Sequence, residues 1–277
     1  MRAHETNQQP GHGPKRLRDM GDEAILLGGG GRAILLQLAD PAVGHAVAEH
    51  SAFSADPTRR LRHTLTFVYA IIWGTPQQSE FVTTMVNRAH KPVESGEGAT
   101  PSYSAVDPQL QLWVAATLYD SAIVVYERIF GPLNDEDADA IYQDYAQIGV
   151  ALQMPRELWP ADRAAFRAYW NAKVETLVVD EVTRDVAQRL LHPSHAPLWL
   201  KAAMPLARLL TVGLLGAELR EAFGLRFTHG QARRFERMLR LASRVYPLLP
   251  RAVRHWPKNH LLRGLPTRSA HGAHPVR

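Results

Sequence analysis

Apolar residues recur along most of this chain at intervals of three and four, the spacing of one helical face, and no alternating run is long enough to require a β-sheet. Helix starts are marked at Asp56-Pro57, Thr75-Pro76 and Asp107-Pro108, where a capping side chain precedes a proline in the first turn. Further helices are expected over 134–152, 160–179, 180–191, 197–215 and 228–246. The stretch 108–130 is apolar nearly all round, with Leu110, Leu112, Val114, Ile123 and Val124 covering opposite sides, which predicts a buried central helix. The fold class is therefore all-α: one large multi-helix domain over 21–257, with a disordered arm at 1–20 and a disordered basic tail at 258–277. The turn-forming segment 91–106 reads as a mobile loop over the site.

Polar residues that interrupt this pattern are the candidates for chemistry. On a helix, residues 60, 63, 64, 67 and 71 fall within about 60° of one line, so Arg60, His63 and Thr64 share a face with Phe67 and Ile71. Such groups need partners, either ordinary hydrogen bonds or a bound cofactor. His90 extends the Val82, Met85, Val86, Ala89 stripe, which marks either a satisfied boundary histidine or a ligand. Asp120, the carboxylate within the central helix, reads either as a base or histidine partner, or as a structural group bonded to a neighbouring helix.

Composition narrows the chemistry. With 277 residues and 45% hydrophobic content the chain can bury a sizeable core. It contains no cysteine, which excludes disulfides, iron–sulfur clusters, thiol nucleophiles and a thiolate haem ligand. The sequence has no Gly-x-Ser-x-Gly, no His-Glu-x-x-His and no pair of Glu-x-x-His motifs, against acyl transfer, a zinc hydrolase and a di-iron bundle. His45 and His50 stand about 140° apart on a helix and should not converge. Gly28–Gly31 lack a nucleotide fingerprint and suit a loop passing close to helices or to a cofactor.

Charge is uneven. The formal net charge is +5, yet the segment from Leu219 to the C-terminus holds 13 Lys/Arg against 2 Asp/Glu. That basic region reads either as a solvated face or as a surface for anionic membrane; nucleic acid is a poor fit, because aromatic interleaving is absent after Tyr246 except for Trp256. The N-terminus carries no secretory h-region and no apolar run reaches about 18 residues, so a cytoplasmic location is expected, with the inner membrane face open to the basic region.

Three strings, "HSAFSADPTRRLRHTLTFVYAIIWGT", "VNRAHKPVESG" and "YSAVDPQLQLWVAATLYDS", resemble the catalytic domain shared by the latex clearing proteins and the mycophenolic-acid-pathway oxygenase. The resemblance runs from about Gly28 to Pro250. It implies a b-type haem held by an axial histidine, here His90 in Asn87-Arg88-Ala89-His90, with Arg60 and Thr64 matching the Arg-x-x-x-Thr pair beside the haem. The residue that matches an iron-capping lysine is His63, a candidate distal ligand. By the same likeness the activity is that of an oxygenase using dioxygen on an apolar small molecule. The chain departs from the pattern twice: Arg88 sits one place closer to the axial histidine, and the glutamate base of rubber cleavage has no aligned counterpart. Glu49 is the nearest carboxylate, and matching it requires an insertion. A non-catalytic ligand-binding protein that keeps the fold is the alternative.

Overall fold

The computed structural model describes residues 15–50, 57–194 and 196–266, with the side chains of 57–60 outside that description. Fourteen helices carry the described chain. The first group is α1 (Leu17–Met20), α2 (Gly30–Leu38), α3 (Pro41–His50), α4 (Pro57–Trp73) and α5 (Pro76–His90). Next come α6 (Pro108–Phe130), α7 (Asp135–Val150), α8 (Arg163–Glu175), α9 (Glu181–Leu191) and α10 (Leu198–Leu214). The last are α11 (Ala217–Ala222), α12 (His229–Val245), α13 (Arg251–Arg254) and α14 (Trp256–Arg263). Among the described residues no strand forms, so the fold is all-α as the apolar periodicity predicts.

Capping chemistry sets the boundaries. Thr75 and Gln78 form a reciprocal box at the start of α5: the Gln78 N–H donates to the Thr75 hydroxyl at 3.3 Å and the Thr75 N–H to the Gln78 side-chain Oε1 at 3.0 Å. Asp107 accepts from the Gln109 N–H at 2.8 Å at the head of α6. That helix stops at Gly131, whose φ of +93° suits glycine and not a side-chain-bearing residue.

Helix α6 is the buried axis. Trp113, Ala115, Ala116 and Thr117 are fully covered, and α2, α7, α12 and the 3-10 turn Ala24–Gly29 pack around it. The glycines at 28–31 permit that approach: a methyl on Gly29 would come within 2.9 Å of the Ser121 carbonyl oxygen on α6, and one on Gly31 would overlap the Thr211 hydroxyl on α10. Beside α6, Tyr119, Tyr142, Tyr145, Trp159 and Phe166 form one aromatic cluster, with Phe166 edge-on to Tyr119 at 5.0 Å between ring centroids. Burial of each such ring stabilises the fold by roughly 1.5–3 kcal/mol. These aromatics are core.

Both expected domain boundaries move outward. Leu17 and Met20, placed in the arm by sequence, are fully buried in the main core, because α1 docks on α7 with Arg16 ion-paired to Asp144. Residue 258 falls inside α14 and not in a tail. That helix packs on α4, with the Lys258 Nζ over the Trp73 ring at 5.2 Å and Gln78 Nε2 donating to the Leu262 carbonyl at 3.4 Å. Polar composition hid these segments, since their buried apolar residues are few.

Candidate functional site

Helices α4 and α5 form an antiparallel hairpin turned at Gly74. Ser79 donates its hydroxyl to the Ala70 carbonyl at 2.9 Å, which levels residue 70 with residue 79. Positions 60 and 90 both lie outward from that bond, each roughly 15 Å of rise away along its own helix. The N-terminal turn of α4 and the C-terminal turn of α5 therefore lie at one end of the hairpin. Their partial charges are opposite, positive on α4 and negative on α5.

His90 is half-buried in the last turn of α5. On α4, Phe67 is buried and Ile71 half-buried, while His63 and Thr64 are exposed; the polar pair stands on the outer stretch of the helix, not within the core. The Arg60 side chain lies outside the described residues. Ala89, counted in the buried stripe by spacing, is exposed.

Asp120 stands elsewhere, on α6, ion-paired to Arg32 NH2 at 2.6 Å with both side chains largely covered. Arg32 also donates to Ser121 Oγ at 2.8 Å and to the Leu214 carbonyl at 3.0 Å. This is the carboxylate bonded to a neighbouring helix, one of the two readings open from sequence.

The loop after α5 is held rather than loose. Ser95 N–H donates to the Tyr103 carbonyl at 2.9 Å and Ala105 N–H to the Val93 carbonyl at 2.8 Å, around a bridge between Glu94 and Ser104. The Tyr103 hydroxyl donates to Glu49 Oε2 at 2.6 Å and lies 3.0 Å from His50 Nε2, which is also 3.2 Å from the Glu94 carbonyl. Burial, with the Glu49 bond second, pushes the Tyr103 hydroxyl pKa up to about 12. The Tyr103 ring is covered although Glu49 and His50 are exposed, so the cluster sits at the rim. Sequence reading missed this group because its bonds span about fifty residues and no local spacing announces them. His45 turns away from His50, as its helical angle requires, and binds Asp180 at 2.6 Å.

One further set of potential ligands is Asp22, Glu23 and His255, whose ligand atoms lie within 4.8 Å of one another. Its carboxylates are already matched by cations: Lys258 reaches Asp22 at 3.1 Å and Arg254 reaches Glu23 at 3.2 Å. Tyr246 adds a hydrogen bond to Glu23 at 3.0 Å. The group is a charge clamp between the N-terminal segment and the last two helices.

For haem, the residue types carried by α4 and the end of α5 fit in kind. They include one half-buried imidazole on α5, and on α4 a second imidazole, a hydroxyl and an arginine position. Histidine is a regular haem-iron ligand, and arginine pairs strongly with carboxylates such as propionate. No helix among the described residues is long and apolar enough to cross a membrane.

Two uncharacterized proteins, one from Mycobacterium bovis and one from Mycobacterium tuberculosis, are each 37% identical over 222 residues, covering 77% of this chain and 87% of theirs. No solved structure matches the chain significantly. The model of the family described as "ER-bound oxygenase mpaB/B'/Rubber oxygenase, catalytic domain" matches residues 17–244, and the chain belongs to that family.

Proposed function

We propose that this protein is a haem b-dependent oxygenase that uses dioxygen on an apolar small molecule. What supports the reading is the family match over residues 17–244, together with His90 in the last turn of α5 and Arg60, His63 and Thr64 in the first two turns of α4, the helix before it. His90 would hold the iron from the proximal side. Arg60, beside the positive end of α4, would pair with a propionate, since both the guanidinium and the helix N-terminus favour an anion there. Thr64 would donate a hydrogen bond at the haem face, and His63, the residue before it, would stay off the iron in the resting protein. Bound haem would supply dioxygen activation; the chain's own residues anchor and orient the group. A base is drawn from the Glu49–Tyr103–His50 group at the neighbouring helix end rather than from Asp120, which is committed to Arg32.

The exposure of His63 and Thr64 favours a second reading, a non-catalytic ligand-binding protein that keeps the family fold. Colour separates the two. Protein purified with haem supplied should show a Soret band that His90→Ala abolishes; a colourless wild type, or a band unchanged in His90→Ala, overturns the oxygenase assignment.

A further inference from the structure

The segment 248–258 inverts the usual sidedness of a protein surface. Apart from Arg251, its basic residues face inward: the side chains of Arg254, His255 and Lys258 are only 13%, 19% and 14% exposed, held by Glu23 and Asp22. Its apolar residues face outward, with Leu248 82%, Val253 56% and Trp256 61% exposed. Long charged side chains are rarely covered and large apolar ones are usually buried, so a folded segment that does the opposite needs a reason. The clamp supplies the mechanism: ion pairs fix one side of these short helices on Asp22 and Glu23, and the other side is presented to the surroundings.

Charge around the patch indicates what meets it. Arg251 within the segment and Arg240 and Arg244 on the helix that leads into it are exposed, and no Asp or Glu follows Glu236 in the sequence. Exposed apolar side chains with a tryptophan, in a stretch of chain that carries arginines and no carboxylate of its own, match the boundary between phosphate headgroups and acyl chains of an anionic bilayer. A protein partner with acidic groups would also suit the arginines, but the prolines at 247, 250 and 257 leave no long helical stripe for a partner helix to follow.

We infer that this protein docks peripherally on anionic phospholipid membranes, inserting Leu248, Leu249, Val253 and Trp256 while Arg240, Arg244 and Arg251 contact lipid phosphates. The surface is separate from the His90 end of the α4–α5 hairpin and does not depend on haem.

Co-sedimentation of the full chain with vesicles tests this, using phosphatidylcholine alone and phosphatidylcholine mixed with phosphatidylglycerol. Wild type should bind the mixed vesicles and not the neutral ones, less so at high salt, with a blue shift of tryptophan emission. The double variant Leu248→Glu/Leu249→Glu should lower the partition coefficient by about ten-fold or more. Circular dichroism checks that this variant keeps its helices; should it not, Trp256→Ser serves, expected to weaken binding and remove most of the emission shift. Failure of wild type to bind, equal binding to both vesicle types, or binding unchanged in the folded variants overturns the inference. So does a wild-type dimer that the double variant converts to monomer without any vesicle binding, or a shift of duplex DNA in its place.

Discussion

Arg32 on α2 closes its guanidinium on the Asp120 carboxylate of α6 at 2.6 Å, and the same guanidinium reaches the carbonyl of Leu214 at the end of α10. One side chain thereby ties three helices together at the central axis. Asp120→Ala would leave that guanidinium without its counter-charge in a largely covered site, at a cost of about 3 kcal/mol. The melting temperature should fall by roughly 6–12 °C, followed by circular dichroism. Asp120→Asn should also lower it, and should leave the pH profile of any turnover unchanged; a shifted profile in a fully stable protein would instead mark Asp120 as a base.

His63 is exposed on α4, which predicts that it does not reach the iron in the resting protein. Electron paramagnetic resonance of haem-loaded wild type and His63→Leu should give the same spin state. Conversion of a low-spin signal to high-spin in the variant would show bis-histidine ligation.

Tyr103 ties the loop 91–106 to the end of α3 through Glu49 and His50. Tyr103→Phe removes the hydroxyl, should cost about 1 kcal/mol, and should speed amide exchange in that loop while α6 is unaffected. Hydrogen exchange read by mass spectrometry, peptide by peptide, checks this.

Asp180 caps α9. Its burial works to raise the pKa, but bonds from the Thr183 N–H, from His45 and from the Thr183 hydroxyl outweigh that and hold it below the ordinary aspartate value. The stability this contributes is fully present above the unfolded-state pKa of about 3.9 and is lost as pH falls through the lower folded value. Asp180→Ala, which also loses the cap at about 1 kcal/mol, should melt below wild type at neutral pH. The gap should narrow in scans taken below about pH 4.

Much of the architecture was legible because helices announce themselves locally. Thr75-Pro76 and Asp107-Pro108 each begin a helix, and the unbroken apolar character of 108–130 marked the central axis. The ends were not legible. Leu17 and Met20 are two core residues in a polar segment, and the stretch 254–258 leading into α14 turns its cations inward, a pattern that reads as solvated from sequence. The loop 91–106 was expected to move because of its turn formers, whereas Tyr103 fixes it through residues about fifty positions away. That Arg60 and His90 stand on consecutive packed helices was visible only as shared motif, while the turn between those helices is tied by Ser79 and Ala70, which no motif announces.

The contact between Lys258 and Asp22 joins positions 236 residues apart. Closing so long a loop is entropically costly before other contacts shorten it, so this junction belongs to the late part of folding, after the helices around α6 have assembled. Bonds absent from the transition state act on the rate of leaving the native state and hardly on the rate of reaching it. The persistence of the folded molecule therefore depends on a fastening between its two extremities, far in sequence from the region that starts assembly, and the extremities should be the first to part.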